Sequence, residues 1–301
     1  MESTTAKSAR EMVCFAASHC GNNGDMDSCT ICSSKVLTRV GVPNHNSKYT
    51  VFQCRDCDFV FTLPLPSAAE LYDYYNVDYF ESSVKGSGYA DYYTLGEHNM
   101  RRMWPEFKAW AGIVPKRLLD VGSASGAFLD EARKDGVRVT GVELGLEAVE
   151  RSRSVYGLDT VHGDVFSSEL TGGYDCITMW HVLEHIIDPV KTIMRVGELL
   201  DPDGYLFVEL PQWNSAGRLA KGMSWAQLVP PGHINYWTVT SMSKMLTANG
   251  FTVVKIGTVG LAKSREYCEK YPMLSPVIKL IETAVSSAGF GGYLRVVARK
   301  S

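Results

Sequence analysis

The sequence predicts an α/β protein with a mostly parallel sheet, preceded by a small cysteine-rich module. Segments of strand and helix character alternate from Arg117 onward, and two Cys-x-x-Cys pairs precede them. A third observation is the stretch RLLDVGSASGAFLDEA, Arg117 to Ala132. It reads as a buried strand, a tight glycine turn and a helix, the place where open α/β sheets take small ligands.

The chain has 301 residues, 45% hydrophobic and 21% charged, which suits one sizeable α/β domain with an accessory module. A formal net charge of -3 supplies no basic field, so no nucleic-acid partner is expected. No apolar run is long enough for a spanning helix, and residues 1–28 read as a flexible leader without a cleavable signal. The expected location is cytoplasmic.

Of the eight cysteines, Cys29 with Cys32 and Cys54 with Cys57 have the spacing that turns two thiolates toward one ion. Residues 29–62 are therefore expected to form a zinc ribbon whose short strands lie in YTVFQC and FVFTLP. Four thiolates close the coordination sphere, so such a zinc is structural. Cys14, Cys20, Cys176 and Cys268 lack the pairing and are expected to be packing residues. Residues 63–110 form a tyrosine-rich helical link or lid. Ser67 caps a short helix there, and a second helix is expected from about Tyr89 to Trp110, kinked at Pro105.

The main domain, 111–301, opens with strand RLLDV and a helix from Ala127 to about Lys134. Strands VRVTGVE, DTVHG, YDCITMW, GYLFVEL, FTVVKIG and GYLRVVARK follow. The last helix carries Val277, Ile278, Leu280, Ile281, Ala284 and Val285 in an amphipathic array, and it is expected to pack on the sheet.

A dinucleotide turn needs G-x-G-x-x-G, but only Gly122 fits, since Ala124 and Ala127 fill the other two places. Asp120 at the strand end would repel a diphosphate and suit an ammonium group. Glu143 ends the second strand, where it can accept ribose hydroxyls. Asp164 follows the third, where it can accept from an adenine amino group, with Val165 and Phe166 near the ring. These three acids at successive strand ends favour S-adenosylmethionine over a nicotinamide dinucleotide.

In order along the chain, LLDVGSASGAFL, GVELG, GDVF and WHVLEHIIDP resemble the motifs of class I S-adenosylmethionine-dependent methyltransferases, over about Arg117 to the last residue. The resemblance implies a Rossmann-like seven-stranded sheet in the order 3-2-1-4-5-7-6, its last strand antiparallel. It also implies cofactor contacts at Asp120, Gly122, Ser123, Gly126, Phe128, Glu143, Leu144, Asp164, Val165, Trp180 and His181. The front end is similar to a subgroup with a four-cysteine ribbon and a tyrosine-rich link, some members of which are sugar C-methyltransferases.

His181-x-x-Glu184-His185 matches a peptidase zinc pattern but straddles a strand end, which is the wrong context. The equivalent stretch of ubiquinone-pathway O-methyltransferases is E-x-x-E-H, implicated in binding a divalent ion. A metal held by His181, Glu184 and His185 is the second reading here; hydrogen bonding that holds the loop is the first. The long connection PQWNSAGRLAKGMSWAQLVPPGHINYWTVTSM is expected to wall an acceptor pocket, through Trp213, Trp225 and Trp237 or by packing them onto the body. His233 follows the rigid PPG turn, and His233 and His181 are the candidate bases. The expected activity is methyl transfer to oxygen or carbon of a small molecule such as a sugar, glycan or secondary metabolite. The alternatives are an RNA methyltransferase that clamps nucleic acid with its ribbon, and a non-catalytic cofactor-binding module.

Overall fold

The computed structural model describes residues 28–67, 69–71, 74, 96–261 and 264–301. The leader up to residue 27, with Cys14 and Cys20, and the tyrosines of 75–95 lie outside the described residues.

Strands β1 (Leu37–Gly41), β2 (Thr50–Cys54) and β3 (Val60–Leu63) form an antiparallel meander. The two cysteine turns that frame it share one design. Ser33 N–H donates to the Cys29 carbonyl at 2.8 Å, and Asp58 N–H to that of Cys54 at 3.0 Å. Each turn places that fifth residue at positive φ, 59° for Ser33 and 68° for Asp58. Ser67 then forms the expected cap: its hydroxyl accepts from Glu70 N–H while Glu70 Oε2 accepts from Ser67 N–H at 3.1 Å. Helix α1 (Glu97–Ala111) runs through Pro105 as one element and ends at Gly112, whose φ of 72° suits a left-handed cap. The part of the expected helix before it, 89–95, is outside the described residues.

The main sheet contains β4 (Arg117–Val121), β5 (Arg138–Glu143), β6 (Thr160–His162), β7 (Tyr174–Trp180), β8 (Leu200–Pro211), β10 (Phe251–Val259) and β11 (Tyr293–Lys300). Their spatial order is β6-β5-β4-β7-β8-β11-β10, with β11 antiparallel to both neighbours. Counted from β4, this is the expected 3-2-1-4-5-7-6. Leu118 and Leu119 of β4 are fully buried, as a central strand covered on both faces requires. Helices α2 (Ala127–Lys134), α3 (Leu146–Tyr156) and α4 (Pro189–Leu199) make the parallel crossovers. The order reverses between β4 and β7, so the crevice for a ligand opens at the carboxyl ends of these two strands.

Residues 212–238 add helix α5 (Ala216–Lys221) and strand β9 (Asn235–Tyr236). β9 pairs not with the main sheet but with β3 of the ribbon, Val60 opposite Tyr236 and Phe61 opposite Asn235. Phe59, Phe61 and Trp237 join the hydrophobic core that contains Leu119, Val121 and Met179 of the main sheet. The ribbon is therefore packed on the body of the main sheet. Trp213, Trp225 and Trp237 are all buried, the first two with Tyr236 and the third against Phe59.

After α6 (Val239–Ala248), helices α7 (Ser264–Lys270) and α8 (Ser275–Ser287) link β10 to β11. The expectation that α8 packs its apolar face on the sheet fails. None of its residues is buried, and Val277, Leu280 and Ile281 are 55%, 69% and 49% exposed. β10 is the edge strand, and a helix joining the two antiparallel strands at that edge has little sheet surface to cover. Ala284, Val285 and Ala288 line a shallow apolar recess with Ala216, Leu219 and Phe290. No helix among the described residues is long and apolar enough to cross a membrane.

Candidate active site

Gly122 and Gly126 set the turn after β4, with φ of 72° and 83°, and Ala124 between them takes φ 50°. A Cβ on Gly122 would meet Val182 Cγ2 at 2.7 Å, so the 181–185 segment lies directly against this turn. Glu143 closes it from β5: its Oε2 accepts from Ala124 N–H at 2.9 Å and its Oε1 from Gly145 N–H at 2.8 Å. Asp120 is 3% exposed and accepts from the Thr178 hydroxyl at 2.6 Å. Burial pushes Asp120 up to about 8; the Thr178 bond opposes this, and the charge of Glu143 adds to it. Burial also raises Glu143, against the amide bonds that favour its charged form. Among the described residues, no lysine or arginine forms an ion pair with either acid.

The other expected cofactor contacts divide into two groups. Ser123, Leu144, Asp164 and Val165 lie on the strand-end loops, where Asp164 Oδ1 accepts from Phe166 N–H at 2.8 Å. Phe128 and Trp180 belong to an aromatic core with Trp104 and Phe207, their own ring centroids 5.6 Å apart.

At the end of β7, His181 takes the left-handed conformation, φ 55°, and sits between two buried carboxylates. Its Nδ1 is 3.3 Å from Glu184 and its Nε2 3.4 Å from Glu209. Its side chain is 41% exposed; partial desolvation opposes the charged form, but the two carboxylates outweigh this and raise its pKa well above the ordinary histidine value. Arg295 of β11 supports the far side, pairing with Glu209 through Nε and with Glu106 at 2.7 Å.

Glu184 is 1% exposed, and neither of its oxygens accepts a hydrogen bond from the described residues. His185 and His233 meet it, so that one potential ligand atom from each of the three lies within 4.8 Å of the others. His185 Nδ1 is 2.9 Å from the Gly232 carbonyl, and His233 Nδ1 is 2.9 Å from that of Gln227. A carbonyl only accepts, so each Nδ1 carries the proton and each Nε2 the lone pair. Burial lowers both imidazoles, and neighbouring histidine charge helps push His233 down to about 4. In the second reading of this motif, a metal trio of His181, Glu184 and His185, the third member differs: the group that converges is Glu184, His185 and His233, while His181 lies between Glu184 and Glu209. Glu209 and Arg295 carry no local motif and were not anticipated. Their only signal was position: Glu209 lies near the carboxyl end of β8, beside β7, and Arg295 near the start of the antiparallel β11, one strand further out.

The cysteines also converge. All four sulfurs lie within 4.8 Å of one another, with Cys29–Cys57 and Cys32–Cys54 at 3.5 Å.

The sheet order, the glycine turn and the crevice beside it define a methyltransferase fold, and comparison with known proteins agrees. Residues 95–256 match the methyltransferase domain family. The ubiquinone biosynthesis O-methyltransferase of Vibrio parahaemolyticus is 28% identical over 164 residues, covering 50% of this chain and 68% of the relative. That of Yersinia enterocolitica is 31% identical over 104 residues, covering 32% and 43%. Among solved structures, S-adenosylmethionine-dependent methyltransferases from Mesorhizobium loti and Archaeoglobus fulgidus share the fold. The TM-score is 0.50 for both, at 18% and 19% identity. They cover 65% and 70% of this chain, and 97% and 100% of their own. The chain belongs to the methyltransferase domain family and is a class I S-adenosylmethionine-dependent methyltransferase.

Proposed function

We propose that this methyltransferase acts on oxygen of a small hydroxylated molecule, bound between the Gly122 turn and the 212–238 connection. The observation that carries the reading is the meeting of Glu184, His185 and His233, from two distant stretches, beside that turn. The matched relatives are named for O-methylation in ubiquinone biosynthesis, which favours oxygen over carbon.

When bound, S-adenosylmethionine supplies a methyl group already activated on a sulfonium. The buried Asp120 and the half-buried Glu143, without a lysine or arginine partner among the described residues, suit its cationic amino-acid head and disfavour a diphosphate. Asp120 is assigned to the ammonium group, Glu143 to the ribose hydroxyls through its remaining lone pairs, and Asp164 to the adenine amino group. Gly122, Ser123 and Gly126 shape the turn; Leu144, Val165 and His181 are assigned to the cofactor's surroundings, and Phe128 and Trp180, which sit in the aromatic core, are assigned to support them.

His233 is assigned as the base. Its Nε2 lone pair takes the hydroxyl proton of the acceptor, and the buried Glu184 carboxylate stabilises the resulting imidazolium. His181, with both ring nitrogens facing carboxylates, is held charged and has no lone pair to offer; it fixes Glu184 and Glu209 in place. Supplying a panel of phenols, sugars, amines and carbon acids with S-adenosylmethionine, and measuring adenosylhomocysteine, tests the reading. Turnover is expected with hydroxyl acceptors; turnover confined to carbon, nitrogen or RNA acceptors, or none at all, defeats it.

The four cysteines are proposed to hold one structural zinc. A tetrahedron with Zn–S of about 2.3 Å has edges of about 3.8 Å, close to the sulfur separations here. Thiolate ligation needs reduced cysteines, in keeping with a cytoplasmic location. Cys54→Ser is expected to remove most bound zinc, read by plasma mass spectrometry, and to lower the melting temperature by several degrees or more. A variant that keeps its zinc would exclude this site.

A further inference from the structure

The 183–186 turn and the 232–235 segment are fastened by a dense set of bonds. Ile234 and Asn235 N–H groups both donate to the Glu184 carbonyl, at 2.9 and 3.1 Å. The Asn235 side chain, 4% exposed, donates its amide to the carbonyls of Leu183 at 3.3 Å and Ile186 at 2.5 Å. These two carbonyls flank Glu184 and His185. On its other side the segment is held by the ribbon: Thr62 N–H donates to the Ile234 carbonyl at 3.0 Å, and Asn235 stands opposite Phe61 in the β3–β9 pair. The Tyr236 hydroxyl donates to the His233 carbonyl at 2.6 Å.

We propose that Asn235 is a positioning residue of the active site: its side-chain amide bridges the Leu183 and Ile186 carbonyls and so fixes Glu184 and His185 against His233. A primary amide suits this place because it offers two N–H donors in one plane, and the turn offers two inward carbonyls. Without the amide, the Ile186 carbonyl loses its donor, the Leu183 carbonyl keeps only Ile186 N–H at 3.4 Å, and the turn relaxes away from β9. The 183–186 turn would then no longer hold His185 Nδ1 against the Gly232 carbonyl. Because β9 is also the fourth strand of the ribbon sheet, the cysteine module reaches the active site through this residue. The proposal rests on the assignment of Glu184, His185 and His233 to the acceptor site.

The test is Asn235→Ala, with Asn235→Ser, which retains one donor, as the milder variant should alanine fail to fold. Long-range nitrogen–proton spectra of the imidazoles report their tautomers without any acceptor. In the wild type, His185 is expected as the Nδ1–H tautomer. In Asn235→Ala this signal is expected to give way to a mixture, with partial recovery in Asn235→Ser and unchanged adenosylhomocysteine affinity by calorimetry. Turnover of whichever hydroxyl acceptor the wild type accepts is expected to fall about tenfold to a hundredfold, the cost of a misplacement of the order of an ångström. An unaltered His185 tautomer, or a loss of adenosylhomocysteine affinity as large as the loss of turnover, overturns the proposal. A changed tautomer with undiminished turnover supports the bridge but removes the acceptor-site assignment, so the two failures are distinguishable.

Discussion

Gly122→Arg is expected to abolish adenosylhomocysteine binding in calorimetry, a loss of at least about a hundredfold, or 2.7 kcal/mol. Two effects combine at this position. The φ of 72° is one that glycine adopts freely and a residue with a Cβ adopts under strain. The first side-chain atom would also meet Val182 at 2.7 Å, and the rest of an arginine would have to enter the crevice. Its guanidinium would bring a positive charge beside Asp120 and Glu143, where the ligand's own cation belongs. A folded variant, judged by its circular dichroism, that still binds adenosylhomocysteine normally would show that the turn after β4 is not the cofactor site.

His233→Ala is expected to lower turnover by about a hundredfold to ten-thousandfold, the usual contribution of a positioned base, and to leave adenosylhomocysteine affinity unaltered. His233 forms part of the 212–238 connection, whereas the glycine turn and the strand-end acids come from other elements. The pH dependence has a definite sign. Protonation removes the Nε2 lone pair, and burial with neighbouring histidine charge places that event at about 4 in the free protein. Turnover is therefore expected to stay level from neutral into mildly acidic solution and to fall only as pH approaches that value. A normal acid limb near the ordinary histidine value, or parallel losses of turnover and cofactor affinity in the alanine variant, would move the base elsewhere.

Much of the fold was legible because its signals are local. Strand β7 coincides with YDCITMW and helix α2 with Ala127–Lys134, each bounded by turn residues and filled with the matching apolar period. Ser67 and Glu70 form the cap their spacing suggests. The sheet order followed from motif resemblance, since alternation alone leaves several windings open. Helix α8 shows the limit of periodicity. An amphipathic pattern says that one face is apolar, not that a sheet covers it, and here Val277, Leu280 and Ile281 are left exposed.

The sequence by itself determined the pairs of cysteines, the glycine turn and the acids at the strand ends, because each is a relation among residues a few positions apart on one element. Tertiary structure alone decided that His233, not His181, joins Glu184 and His185, and that β9 completes the ribbon sheet. Those contacts join residues about fifty or more positions apart. Spacing along the chain carries no record of them, because they arise only when buried apolar surfaces bring the ribbon, the long connection and the sheet into one core.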